Sequence, residues 1–180
     1  LASEAYSDVA ASVAGSALYR WEGGHALMLA VQRSERHPSA VELYANGPHL
    51  ATSQYEIGRS ELGLETAYGI DFGYRFSGEA WSASATVFVN YFEDYIYAED
   101  LGFETNGLDT YRFDSVDALF YGYEAEIAFV MYQSQDTFFE LGLMSDSVIA
   151  ENLEADEPLP RIPPFRVGAS ADLTFGSWDL

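Results

Sequence analysis

The chain has 180 residues, enough for one domain, with 48% apolar and 16% aromatic types, yet it contains no apolar run long enough to cross a membrane as a helix. Its 29 acidic residues against eight basic ones, all Arg, give a formal charge of −21, which excludes nucleic acid as a partner. Cysteine is absent, so disulfides and thiolate metal sites are excluded as well.

The first ten residues, LASEAYSDVA, have neither a basic n-region nor an apolar h-region and read as mature or internal sequence rather than a signal peptide. From Val9 onward the dominant pattern has period two, the signature of strands whose side chains alternate between faces. One phase of the first strand is Val9, Ala11, Val13, Gly15, Ala17, Tyr19 and Trp21, and the second strand continues it through His25, Leu27, Leu29 and Val31. A third strand is expected over 68–76, a fourth over 81–97 and a fifth over 111–133. The sixth starts at Thr137 and the seventh runs over 165–175. Across these seven strands the chosen phase contains 38 positions and none is Asp, Glu, Lys or Arg. The opposite phase holds Arg20, Asp71, Arg75, Glu124, Glu126, Glu140, Arg166 and Asp172 among small polar residues, with Met28, Phe88 and Phe138 as apolar exceptions.

Short polar turns at 22–24, 77–79 and 134–136, and a fourth beginning at Gly176-Ser177, alternate with long stretches at 37–63, 98–110 and 152–163 that are expected to be irregular loops. The pattern is all-β, an antiparallel meander with short turns at one end and long loops at the other. Either a soluble sandwich buries the uncharged phase or a membrane barrel turns it to lipid. Strands over 81–97 and 111–133 far exceed the roughly 5 to 6 residues usual in soluble sheets, which favours the barrel. Aromatics near both strand ends, Tyr19, Trp21, Phe76, Trp81, Phe175 and Trp178 at one and Tyr91, Tyr95, Tyr97 and Tyr121 at the other, are expected to form two interfacial girdles.

The segment RHPSAVELYANGPHLATSQYEIGRSELGLE from Arg36 resembles TonB-dependent outer-membrane receptors, in which an Ala-x-Glu-Leu-Tyr run precedes a Gly-Pro-His-x-Ala-Thr loop and a Glu-Ile-Gly element. VFVNYFEDYIY, VDALFYGYEAEIAF and LPRIPPFRVGASADL are similar to later strands of the same family, closest to its zinc-uptake branch. The family's Asn-Pro-Asp-Leu-x-Pro-Glu is replaced here by Arg59-Ser60-Glu61-Leu62-Gly63-Leu64-Glu65. The resemblance implies that residues 1–180 are a partial receptor barrel, about seven of roughly 22 strands, with the plug domain, the TonB-contacting segment and the closing strands outside it. It also implies the outer membrane of a Gram-negative bacterium as location, with lipid, plug and TonB as partners.

Under that resemblance the function is nutrient uptake, with no cofactor and with zinc or another metal ion as the transported substrate; a ferric siderophore, haem or cobalamin is the alternative. His49 is the leading metal ligand, since imidazole suits zinc, with Glu42 and Glu56 as oxygen donors nearby. Tyr44, Tyr55, Tyr95, Tyr97, Glu99 and Asp100 are candidate ligand-contacting loop residues. Arg20, Asp71, Arg75, Glu124, Glu126, Glu140, Arg166 and Asp172 would face the lumen and meet the plug. No Gly-x-Ser-x-Gly element or phosphate-cradling glycine loop is present, so no enzyme is expected. A structural or adhesive barrel is the remaining alternative class.

Overall fold

The computed structural model describes residues 9–176, 178 and 179. The expectations for the first eight residues and for Ser177 of the last short turn lie outside the described residues. Seven long strands form the expected meander: β1 (Ser12–Trp21), β2 (His25–Arg36), β5 (Glu65–Ser77), β6 (Trp81–Thr105), β7 (Leu108–Gln133), β8 (Thr137–Asn152) and β10 (Arg166–Phe175). They lie side by side in the order β1-β2-β5-β6-β7-β8-β10, each antiparallel to the next. The long connection after β2 carries a short helix α1 (Ala40–Tyr44) and strands β3 (Asn46–His49) and β4 (Gln54–Ile57). Two-residue strands β9 (Glu157–Pro158) and β11 (Trp178–Asp179) flank β10.

The register places like with like. Leu29, Phe72, Val87 and Tyr123 follow one another across β2, β5, β6 and β7, and Val31, Ile70, Val89 and Tyr121 form the next row. On the other face Thr86, Glu124, Asp146 and Arg166 line up. A one-residue slip would exchange the two faces, so the uncharged phase fixes the register.

Among the described residues nothing covers the uncharged face. Val13, Ile70, Val87, Leu143 and Val167 are each more than half exposed. A sandwich would bury these residues, so the architecture is an open arc of barrel. The buried apolar residues among those described, Leu43, Leu62, Ile96, Val116, Ala118, Ala150 and Leu159, gather at the long-loop end. That end has its own small core.

Aromatic rings form a belt at the short-turn end. Centroids are 5.8 Å apart for Tyr19 and Trp21, 5.1 Å for Trp21 and His25, 4.8 Å for His25 and Phe76, and 4.2 Å for Phe76 and Trp81. His25 Nδ1 also lies 2.8 Å from the Tyr74 hydroxyl. The belt matches the girdle expected there.

Three expectations are corrected. Residues 98–110 are not an irregular loop: β6 and β7 continue through them and meet at Asn106-Gly107, both with positive φ (55° and 78°), as a tight hairpin turn demands. Residues 37–63 are likewise structured rather than irregular. At the other girdle, β6 advances three residues from Phe92 to Tyr95 while β7 advances two, from Ala118 to Val116. The extra residue is a bulge, with Asp94 at φ 55°. Above it the faces of β6 exchange, so Tyr95 and Tyr97 leave the uncharged face and pack with Phe92, Phe120, Val116 and Ala118 on the opposite one. Only Tyr91 and Tyr121 of that girdle remain outward.

Candidate ligand-capture site

The connection from β2 to β5 is ordered by its own chemistry. Ser39 caps α1: its Oγ accepts from the Glu42 amide at 3.2 Å, and its amide donates to Glu42 Oε2 at 2.6 Å, a reciprocal capping box. Leu43 then packs against Leu62 and Ile96. Arg36, the last residue of β2, faces its cross-strand partner Glu65 and binds it through two bonds of 2.8 Å, while its third nitrogen reaches Glu42 at 3.0 Å. Glu65 is buried, and its Oε2 also accepts from the Ile96 amide just past the bulge at 2.9 Å. Burial raises the Glu42 carboxyl, but the Arg36 guanidinium and the Ser39 amide outweigh it and hold Glu42 below the usual carboxylate range. Burial opposes the charge on Arg36, but its bonds to Glu65 and then to Glu42 outweigh that and keep it charged well beyond its ordinary range.

The β3–β4 hairpin projects from this base and pairs in parallel with the upper part of β7, Gln54 beside Asp109 and Ile57 beside Arg112. At its tip His49 Nδ1 lies 3.0 Å from Glu56 Oε1 and 3.0 Å from Thr52 Oγ1. His49 is half exposed and Glu56 buried, so the imidazole is offered outward from a carboxylate that fixes it. The structure thus brings His49 and Glu56 together and does not bring Glu42 to them, because Glu42 is held by Arg36 and Ser39. Among the described residues no group of three or more His, Asp or Glu side chains converges as a metal-holding set. The tip thus offers one imidazole and one carboxylate, fewer than the three protein ligands of a catalytic zinc site or the four of a structural one.

The other candidate contacts are spread out. Tyr44 is exposed on α1, and the Tyr55 hydroxyl donates to Asn46 Oδ1 at 3.0 Å. Tyr95 and Tyr97 are half-buried in the loop-end core. Desolvation pushes both phenols up, aided at Tyr97 by Glu99 and Asp114. Glu99 pairs with Arg112 at 2.8 Å, and Asp100 accepts from the Gly102 amide at 2.8 Å. Neither acid is a free cation ligand in this arrangement.

Several organising residues escaped the sequence reading. Arg59 pairs with Asp114, which also lies 3.4 Å from Arg112. Arg161 reaches across 107 residues to donate to Gln54 Oε1 at 2.7 Å and sits 5.2 Å from the centre of the Tyr111 ring. These contacts tie the connections after β2 and β8 to the β6–β7 hairpin. Thr52, three residues after His49, and Ser39, three before Glu42, carried local signals.

Residues 2–180 match the family described as TonB dependent receptor-like, beta-barrel. The chain belongs to that family. Its fold resembles the copper transporter OprC (TM-score 0.72, 20% identity, 93% of this chain and 24% of that one). It also resembles the siderophore receptor PirA from Pseudomonas aeruginosa (TM-score 0.59, 15% identity, 93% of this chain and 31% of that one). At these identities the likeness establishes the fold, and the chain spans about a quarter of the first structure's length and under a third of the second's. TonB-dependent receptors are transporters, not enzymes.

The charged face of this TonB-dependent receptor barrel segment carries its own contacts. Arg166 Nε donates to Asp146 Oδ2 at 2.9 Å within the wall itself. Glu140 stands directly opposite Asp172 across β8 and β10, two like charges side by side. Arg75 and Glu126 flank a depression floored by Ser82, Ser84, Ala128, Gly142 and Ser170. Arg20 and Glu124 lie with Arg75 and Glu126 around a second depression, and Asp71 sits across from Phe88.

Proposed function

We infer that this chain is part of the wall of an outer-membrane receptor that takes up a transition-metal ion, zinc first, in a TonB-coupled cycle. TonB-dependent receptor barrels are outer-membrane proteins, and the bare apolar face fits that setting. The observation that carries the metal reading is the His49–Glu56 pair: a half-exposed imidazole whose Nδ1 lies 3.0 Å from a buried carboxylate oxygen, on a hairpin locked to the wall. Imidazole and carboxylate together suit zinc or copper better than calcium or magnesium, which take oxygen donors alone. That one of the similar structures is a copper transporter and the other a siderophore receptor supports metal or metal-chelate uptake as the class. A plug domain would meet the lumen residues Arg20, Asp71, Arg75, Glu124, Glu126, Glu140, Arg166 and Asp172. Of these, Glu140 and Asp172 call for a basic partner, since opposed like charges destabilise an otherwise regular pair of strands.

Calorimetric titration of zinc into the full-length receptor in detergent, wild type against His49→Ala and Glu56→Gln, tests the reading. Loss of a site in both variants supports it. An unchanged isotherm in His49→Ala removes His49 from the route and shifts the reading to a metal chelate.

A further inference from the structure

At the long-loop end, the segment after β4 and the upper part of β7 enclose an open depression of about 540 Å³, lined by Gly58, Arg59, Ser60, Glu61, Arg112 and Asp114. Its wall is preformed. The Gly58 amide donates to the Ala45 carbonyl at 2.6 Å and the Arg59 amide to the Glu42 carbonyl at 2.8 Å, and the end of α1 lies so close to Gly58 that a side chain there would meet backbone atoms of Leu43, Tyr44 and Ala45. Asp114 stands between the two guanidiniums: its Oδ1 accepts from Arg59, and its Oδ2 lies 3.4 Å from Arg112 Nη2. Arg112 and Asp114 are even-numbered residues of β7, as are Glu124 and Glu126, so the depression opens on the charged side of the wall. Ile57 pairs with Arg112, so Glu56 and the His49 it holds belong to the other face of β4.

Neither arginine is saturated. Arg36, at the start of the same connection, engages all three guanidinium nitrogens with Glu65 and Glu42. Among the described residues Arg59 binds through Nη1 alone and Arg112 through Nη2 alone, and Arg112 Nε has no partner. A planar guanidinium with free donors takes a carboxylate in two parallel bonds. Two basic and two acidic residues line the depression, so its formal charge sums to zero, within a chain of charge −21. A simple anion therefore finds no net attraction there. Asp114 is engaged on both oxygens, whereas Glu61 is exposed and accepts only on Oε1, from the Ser60 hydroxyl at 2.6 Å. Glu61 keeps an oxygen for a cationic group in the same depression.

We propose that this depression binds an amino-carboxylate zwitterion, a free amino acid or a short peptide, with the carboxylate on Arg59 and Arg112 and the ammonium on Glu61. Such a ligand is neutral overall, so the charge of the chain does not repel it, and each of its ends meets the opposite sign. Glu99, 2.8 Å from Arg112 Nη2, steadies that guanidinium from β6. The site goes beyond the metal reading and uses neither His49 nor Glu56.

Saturation-transfer NMR on the full-length receptor in detergent and metal-free buffer compares glycine and triglycine with acetate and methylammonium, each of which carries only one of the two charges. The better zwitterion should bind at least about tenfold more tightly than either singly charged probe, the scale of one charge-assisted hydrogen bond. Glycine ahead of triglycine makes a free amino acid the source, and the reverse order a peptide. Glu61 makes its one side-chain hydrogen bond to the neighbouring Ser60, so Glu61→Gln keeps the fold and should bring the zwitterion down to the level of acetate. Arg112→Lys keeps a positive charge beside Glu99 and Asp114 but loses the planar fork, and should weaken the zwitterion about tenfold. His49→Ala should change none of these affinities. Acetate bound as tightly as the zwitterions, no zwitterion binding, or a preference that survives both Glu61→Gln and Arg112→Lys overturns the proposal. Loss of zwitterion binding in His49→Ala overturns it too, by moving the ligand to the other face of β4.

Discussion

Removing Arg36 should loosen the loop end while leaving the barrel wall intact. In Arg36→Ala the buried Glu65 loses a bidentate guanidinium and keeps only the Ile96 amide, and Glu42 loses its ion-pair partner. Stranding a buried charge costs about 3 to 5 kcal/mol. Because the Arg36 side chain is 42% exposed, water recovers part of this, so about 2 to 3 kcal/mol is the working figure. Opening equilibria across α1 and the start of the upper β6 should then rise by roughly 30- to 150-fold. Hydrogen–deuterium exchange on the full-length receptor would read this in peptides covering 40–45 and 95–98, against β5 and β8 peptides as internal controls. Unchanged protection at 95–98, or an equal loss over the whole wall, would refute the view that Arg36 holds this cap to the barrel.

Other perturbations test separate links. Val87→Arg places a charge on the exposed apolar belt and should cost roughly 2 to 4 kcal/mol of barrel stability near the bilayer midplane, whereas Thr86→Arg on the lumen face should assemble normally; heat-modifiable mobility on gels compares them. Glu42 is held below its ordinary value near 4.5, so its contribution is present above that value and is lost as pH falls through its lower folded value. Exchange in peptide 40–45 should therefore stay slow down to about that pH and quicken below it, and a flat profile would argue against the Arg36 and Ser39 contacts. Arg161→Ala should release the β3–β4 hairpin from the connection after β8, seen as faster exchange at 54–57 with β7 protection below the hairpin unaffected.

The seven long strands were legible because one face of each follows the simplest of rules, period two without charge, and the observed rows obey it from Leu29 to Val167. The charged phase followed from the same rule. Where the chain leaves that setting the rule fails. At Asp94 one inserted residue exchanges the faces of β6, so Tyr95 and Tyr97, still odd-numbered like Tyr91, turn inward. Parity carries no mark of a bulge.

Two features were present but unread: the Ser39-x-x-Glu42 capping box and the Asn106-Gly107 hairpin turn, both local signals hidden in stretches taken for irregular loops because they are polar and rich in glycine. At the candidate site, the nearness of His49 to Glu56 follows from the β3–β4 register, which a seven-residue separation did not specify. Glu42 looked equally available in sequence. The Arg36 fork, fixed by pairing with Glu65 29 residues away, is what removes it.

The most direct test of the account is zinc uptake by cells that express the full-length receptor in a strain lacking its own. Accumulation of radioactive zinc should require TonB and should fall in His49→Ala and Glu56→Gln while the amount of folded receptor in the outer membrane stays the same. Zinc accumulation that is indifferent to His49, to Glu56 and to TonB at equal receptor levels would contradict it.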